Sequence, residues 1–137
     1  MLTLSTGERV TLQIYGFDQD NLTVGGKAGI TFGLKNIMSS ARRMDMEDSN
    51  SDSFIGTDMY NWLNGSLYQS MPAELRSAIK SVDKKTSVGA GSTQTRTDSM
   101  KIFLFSETEC FGRIHHSAVD EGNQYPIFTD DASRIKT

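Results

Sequence analysis

The run Met100-Lys101-Ile102-Phe103-Leu104-Phe105 constrains this chain more than any other stretch. Lys101 is its only polar residue. A nearly unbroken apolar run of that length reads as a strand at the centre of a sheet, covered on both faces. A strand of this kind needs other elements on either side of it. The residues that follow supply one. Ser106-Glu107-Thr108-Glu109 has the form of a capping box, so a short helix is expected after it, closed by Gly112.

A second helix is expected where Thr57 can serve as N-cap, with Asp58 in the first turn against the positive end of the helix dipole. At about 100° per residue, Met59, Tyr60, Trp62, Leu63, Leu67 and Met71 fall on one broad arc. Asp58, Asn61, Asn64, Gly65 and Tyr68 share the other. Trp62, the only tryptophan, is expected to anchor the core from the border of the apolar arc. Gly65 inside a helix costs about 1 kcal/mol relative to alanine, which calls for compensating packing or a close approach to the backbone. Asn64, on the polar arc, suits either the capping of a neighbouring loop or contact with a ligand. Asn61, Asn64 and Tyr68 are therefore the candidate ligand-binding residues. Pro72 fits the first turn of another short helix, whose apolar face is Leu75, Ala78 and Ile79.

The N-terminal third reads as strands. Val10, Leu12 and Ile14 alternate with Thr11, Gln13 and Tyr15, the period of a half-buried strand. Ile30, Phe32 and Leu34 repeat the pattern, and Gly25-Gly26 marks a reversal between the two. The stretch 80–88 reads as a polar strand. The Gly/Ser/Thr-rich stretch from Gly89 to Ser99 reads as a mobile loop. From Arg113 onward no clean period is visible, and a strand or helical turn is expected near the end. The expected class is α+β: one small, mostly antiparallel sheet flanked by two or three short helices. The Trp62 helix and the Met100–Phe105 run would seal against each other in a single interior. With 137 residues, the chain is read as one domain, or as the N-terminal part of a longer one.

Composition narrows the function classes. Net charge is −3 and the pI about 5.3, so no basic footprint for nucleic acid is present. No run of about 18 apolar residues predicts a membrane span. Met1 to Val10 lack the charged and apolar regions of a signal peptide. The expected location is cytoplasm or virion for a complete protein, and the cell surface for a piece of an exported one.

Chemical motifs are weak. His115 and His116 are adjacent, which points their rings apart in an extended chain, and no ligand set completes them. Asp45, Glu47, Asp48 and Asp52 lack the spacing and the glycine of a calcium loop, so a solvated acidic loop is expected. Cys110 is the only cysteine, which excludes an internal disulfide. Inside a capped helix it reads as a packed thiol rather than a nucleophile. No cofactor, metal or catalytic set is assigned.

Three stretches in order, Thr57–Met71, Val82–Ser87 and Thr97–Gly112, together with Gly29–Met38 and Tyr125–Lys136, resemble an uncharacterised domain family. That family occurs in surface proteins of gut Firmicutes and in phage or prophage tail-associated proteins. It is similar to the C-type-lectin-like and formylglycine-generating-enzyme-like fold group. Trp62, Leu63 and Asn64 match its helix motif, with Tyr60 where arginine is usual. Lys101 to Ser106 match its strand motif, and Asp98 is displaced from the family's aspartate. Family members continue beyond a segment like Arg134-Ile135-Lys136 into further strands. The resemblance therefore implies a lectin-like core that is incomplete here, finished by further chain or by a second copy in a homo-oligomer. The formylglycine-generating relatives use paired cysteines, so their chemistry does not carry over to a chain with one. The function implied is a non-catalytic binding or structural module of a phage particle or bacterial surface protein, recognising protein or glycan. The rival readings are an enzyme fragment whose catalytic part lies elsewhere and a small phage-encoded inhibitor of a host protein.

Overall fold

A computed structural model describes residues 1–137. The class is α+β, with short helices and antiparallel strands only. Instead of one sheet there are three small ones. β1 (Leu2–Thr3) pairs with β2 (Arg9–Val10). β3 (Leu12–Phe17) pairs with β5 (Ile30–Leu34). β4 (Asn21–Leu22), β6 (Val82–Ser87) and β7 (Thr95–Met100) form the third, with β6 in the middle. The reversal at Gly25-Gly26 is present, both glycines having positive φ. β7 occupies the end of the stretch expected to be a mobile loop, because Thr95 to Met100 pair residue by residue with β6.

β3 turns inward the face opposite to the one expected, and a bulge then brings Phe17 onto the same outer face as Ile14. The register with β5 shifts between Ile14 and Gly16, so Tyr15 has no partner of its own. Such an extra residue redirects the side chains that follow. Tyr15, expected outside, is buried, whereas Ile14, expected inside, is exposed. The Tyr15 ring lies across Gly33, where an added Cβ would sit 2.5 Å from it, and its hydroxyl donates to the Leu34 carbonyl at 2.7 Å. Gly33 is thus a close-approach glycine.

The long helix forms where expected. α1 (Asp58–Trp62) runs through a π turn (Leu63–Leu67) into α2 (Tyr68–Ser70). The Thr57 hydroxyl accepts from the Tyr60 N–H at 3.1 Å, closing the N-terminus. Gly65 lies in the π turn, with open space where a Cβ would stand, so nothing approaches its backbone closely. Leu63 and Leu67 are the buried members of the apolar arc and pack on Leu4. Trp62 is half-buried at the margin of that cluster, beneath the Arg42 guanidinium, 4.4 Å from the ring centre. It borders this core rather than anchoring it. α3 (Ala73–Ala78) starts after Pro72.

The apolar run is not a strand. β7 ends at Met100, and the chain from Lys101 to Phe105 is irregular. Its side chains part company. Ile102 joins the Leu4–Leu63–Leu67 cluster, while Phe103 and Phe105 join a second cluster built on Tyr15, Tyr125 and Phe128. Phe105 stacks on Tyr15 at 4.9 Å and meets Tyr125 and Phe128 edge-on. The expected single interior is therefore two small cores that share one connecting segment. α4 (Glu107–Phe111) begins with the expected capping box and ends at Gly112 in the left-handed conformation. α5 (Asp131–Arg134) is the helical turn near the end.

Candidate functional site

Asn61, Asn64 and Tyr68 all lie on the long helix, but their surroundings differ. Asn61 is exposed. The Asn64 amide is engaged at both ends. Its Oδ1 accepts from the N–H groups of Lys101 at 3.1 Å and Ile102 at 3.0 Å, and its Nδ2 donates to the Ile102 carbonyl at 2.9 Å. One side chain thus takes the place of a paired strand at the point where β7 stops. The Tyr68 hydroxyl donates to the Arg76 carbonyl at 3.1 Å and accepts from the Lys101 ammonium at 3.0 Å. Asn64 and Tyr68 are joined through Lys101, and Asn61 stands apart from that network.

Sequence reasoning missed a buried ionic cluster. Val82 and Lys84 point inward from β6 by strand alternation, and both are buried. The Lys84 ammonium contacts Asp20, on the connection between β3 and β4, and Glu109 of α4. It also donates to the Tyr125 hydroxyl at 3.1 Å. These partners use all three of its N–H donors. The Phe103 ring faces the same nitrogen at 4.2 Å, adding a cation–π contact. Asp20 accepts further bonds from the Tyr125 hydroxyl at 2.6 Å and the Thr31 hydroxyl at 2.5 Å. Glu109 accepts through its other oxygen from the Ser106 N–H at 3.0 Å, completing the capping box.

Two carboxylates around one cation leave the cluster one negative charge in excess. Their environments push them in opposite directions. Burial works to raise Asp20, but the hydroxyls of Thr31 and Tyr125 and the Lys84 charge outweigh it and hold its carboxyl below the usual range. For Glu109 burial prevails over Lys84 and the Ser106 N–H, so its carboxyl lies above the usual range. Burial, then the Glu109 charge and the bond to Asp20, push the Tyr125 phenol far up, which keeps it a proton donor. Above the cluster opens a wholly polar basin of about 260 Å³, reaching Gln19, Asn21, Asp83, Glu121 and Asn123. The only sequence signal for this cluster was a lysine in phase with Val82, and alternation by itself does not distinguish a buried lysine from one that snorkels to solvent.

A second feature is the outer face of the β3–β5 ribbon. Ile14 stands opposite Phe32, and Phe17 opposite Ile30. All four face solvent, with Phe17 63% and Phe32 52% exposed. The sequence placed Ile30 and Phe32 on one face correctly, but that face looks outward. Elsewhere, His115 and His116 are exposed in the loop after α4, their rings 6.4 Å apart. The Cys110 thiol is half-buried against the cluster of Tyr15, Tyr125 and Phe128. Burial and the neighbouring Glu109 push it up, against the opposing pull of Arg134, which keeps it protonated.

The molecule is thus an α+β domain with two small cores, a buried ion cluster and an apolar ribbon face. Residues 28–137 match a family described as a domain of unknown function, DUF6273, and the chain belongs to that family. Lys84, Glu109 and Tyr125 fall inside the matched stretch, while Asp20 precedes it. No curated protein and no solved structure matches the chain. No helix is long and apolar enough to cross a membrane.

Proposed function

We propose that this domain is a non-catalytic binding module that recognises a protein surface, carried by a phage or prophage particle or by a bacterial surface protein. The observation that carries the reading is the ribbon face of Ile14, Phe17, Ile30 and Phe32, two directly opposed apolar pairs turned to solvent. Contiguous exposed apolar side chains of this kind favour association, and a two-stranded ribbon gains from a third layer or strand. Aliphatic and phenyl groups suit a protein better than a glycan, and glycan recognition is the second ligand class. The phage or surface setting rests on the sequence resemblance alone. Against an enzyme reading stands the saturation of the Lys84 cluster, whose donors and acceptors are spent on one another.

The test is a titration of a partner isolated on the immobilised domain and then purified. Phe17→Ser/Phe32→Ser alters only exposed side chains, so its melting temperature is expected to match the parent. Its affinity is expected to fall about 30-fold or more, the loss of one hot spot of about 2 kcal/mol. Equal binding by the folded double variant, or binding confined to polysaccharide, contradicts the reading.

A further inference from the structure

The Lys84 cluster brings together, out of solvent, the groups needed for a reaction within the chain. The amine of Lys84 touches the Glu109 carboxyl, and the side chains of Lys84, Asp20 and Glu109 are 8%, 6% and 4% exposed. We propose that the Lys84 amine and the Glu109 carboxyl condense to an intramolecular amide, cross-linking β6 to α4, with Asp20 as the proton-transferring base.

The roles follow from the hydrogen bonds. An amine attacks a neutral carboxylic acid far more readily than a carboxylate, because the acid presents an electrophilic carbon and can lose water. Glu109 is the carboxyl that burial favours in the neutral form. Asp20, held by the hydroxyls of Thr31 and Tyr125, stays ionised and can accept a proton. Water would compete for such a reaction at the surface, and the Phe103 ring covers the amine on one side.

The step balances without any further reactant. A proton passes from the Lys84 ammonium to Glu109, giving an amine and an acid. The nitrogen lone pair attacks Cδ of Glu109 and forms the C–N bond. A second amine proton goes to Asp20, which returns it to the departing oxygen. The bond from Cδ to Oε1 breaks with its electron pair, and one water leaves. Oε2, already accepting from the Ser106 N–H at 3.0 Å, carries the developing negative charge and becomes the amide oxygen. Oε1 lies on the side of Gly122, where an added Cβ would sit 3.2 Å from it, and Gly122 lines the polar basin through which water can depart. Proximity supplies the drive. Fixed contact of this kind raises effective concentration by orders of magnitude over a bimolecular reaction.

The experiment is the intact mass of the purified, folded 137-residue chain, followed by digestion and fragment sequencing. The expected mass is lower than the sequence mass by one water. The digest is expected to hold a branched peptide joining Lys84 to Glu109, and tryptic cleavage after Lys84 should be lost. Asp20→Asn, if it folds, should show the full mass or reach the lower one much more slowly. The wild-type mass carries the test even where that variant fails to fold. A folded wild-type protein of full mass, or a water loss located at any other pair of residues, overturns the proposal.

Discussion

Asn64 spends both ends of its amide on one stretch of neighbouring backbone, the N–H groups of Lys101 and Ile102 and the Ile102 carbonyl. Backbone groups leaving a sheet edge lose their ladder partners and need replacements. Asn64→Ala removes them all and leaves a half-buried turn unsatisfied. The variant is expected to lose about 1–3 kcal/mol in urea denaturation, and Asn64→Asp, which keeps the acceptor, should lose less. A cost below a few tenths of a kcal/mol would place this side chain outside the fold's support. The capping role was one of two that the sequence allowed. Its target was not legible, because nothing in the local pattern tells a helix residue which distant backbone it meets. Tyr15 is a comparable case. Its ring lies across Gly33, nearly twenty residues away in the chain, where any larger residue would collide with it.

At the scale of elements, local signals served best where the physics is local. Thr57, Ser106 and Gly112 were legible as caps, since a cap satisfies groups within a few residues of itself. Strand content was less legible. Thr95 to Met100 is a polar strand because β6 offers it a ladder, whereas Ile102 to Phe105 is irregular because two cores compete for its side chains. Hydrophobicity marked that segment as interior but did not determine its backbone. α4 also organises the loop that follows it. Glu107 accepts from the N–H groups of Ser117 and His116, and these bonds, Ser117 first, hold its carboxyl down to about 2. A carboxyl lowered on folding contributes stability above its unfolded value, and that contribution fades as pH falls through the folded one. Amide exchange at His116 and Ser117, measured relative to the α4 amides, should therefore accelerate between about pH 4 and 2. In Glu107→Gln it should already be fast at neutral pH, and an unchanged profile in that variant would refute the clasp.

Over the whole molecule, the α+β class was legible from the mixture of periods, but the division of the interior was not. The sequence promised one core sealed between the Trp62 helix and the apolar run. The structure holds two, with Trp62 at the edge of the first and Tyr125 fully enclosed in the second. The cluster of Lys84, Asp20, Glu109 and Tyr125 fastens the β4–β6–β7 sheet to the aromatic core, drawing on four segments far apart in the chain. No window of sequence contains such a site, which explains why composition and spacing showed no reactive group there.

That fastening is the claim on which the account rests, and a thermal melt of Lys84→Met tests it most directly. The substitution keeps the aliphatic stem but removes the nitrogen that ties Asp20, Glu109 and Tyr125 together, as an ion pair before condensation and as the amide after it. It is expected to cost about 3–5 kcal/mol, lowering the melting temperature by roughly 10–20 °C. A variant that melts within about 2 °C of the parent, less than 1 kcal/mol by the same conversion, would show that the cluster holds nothing together.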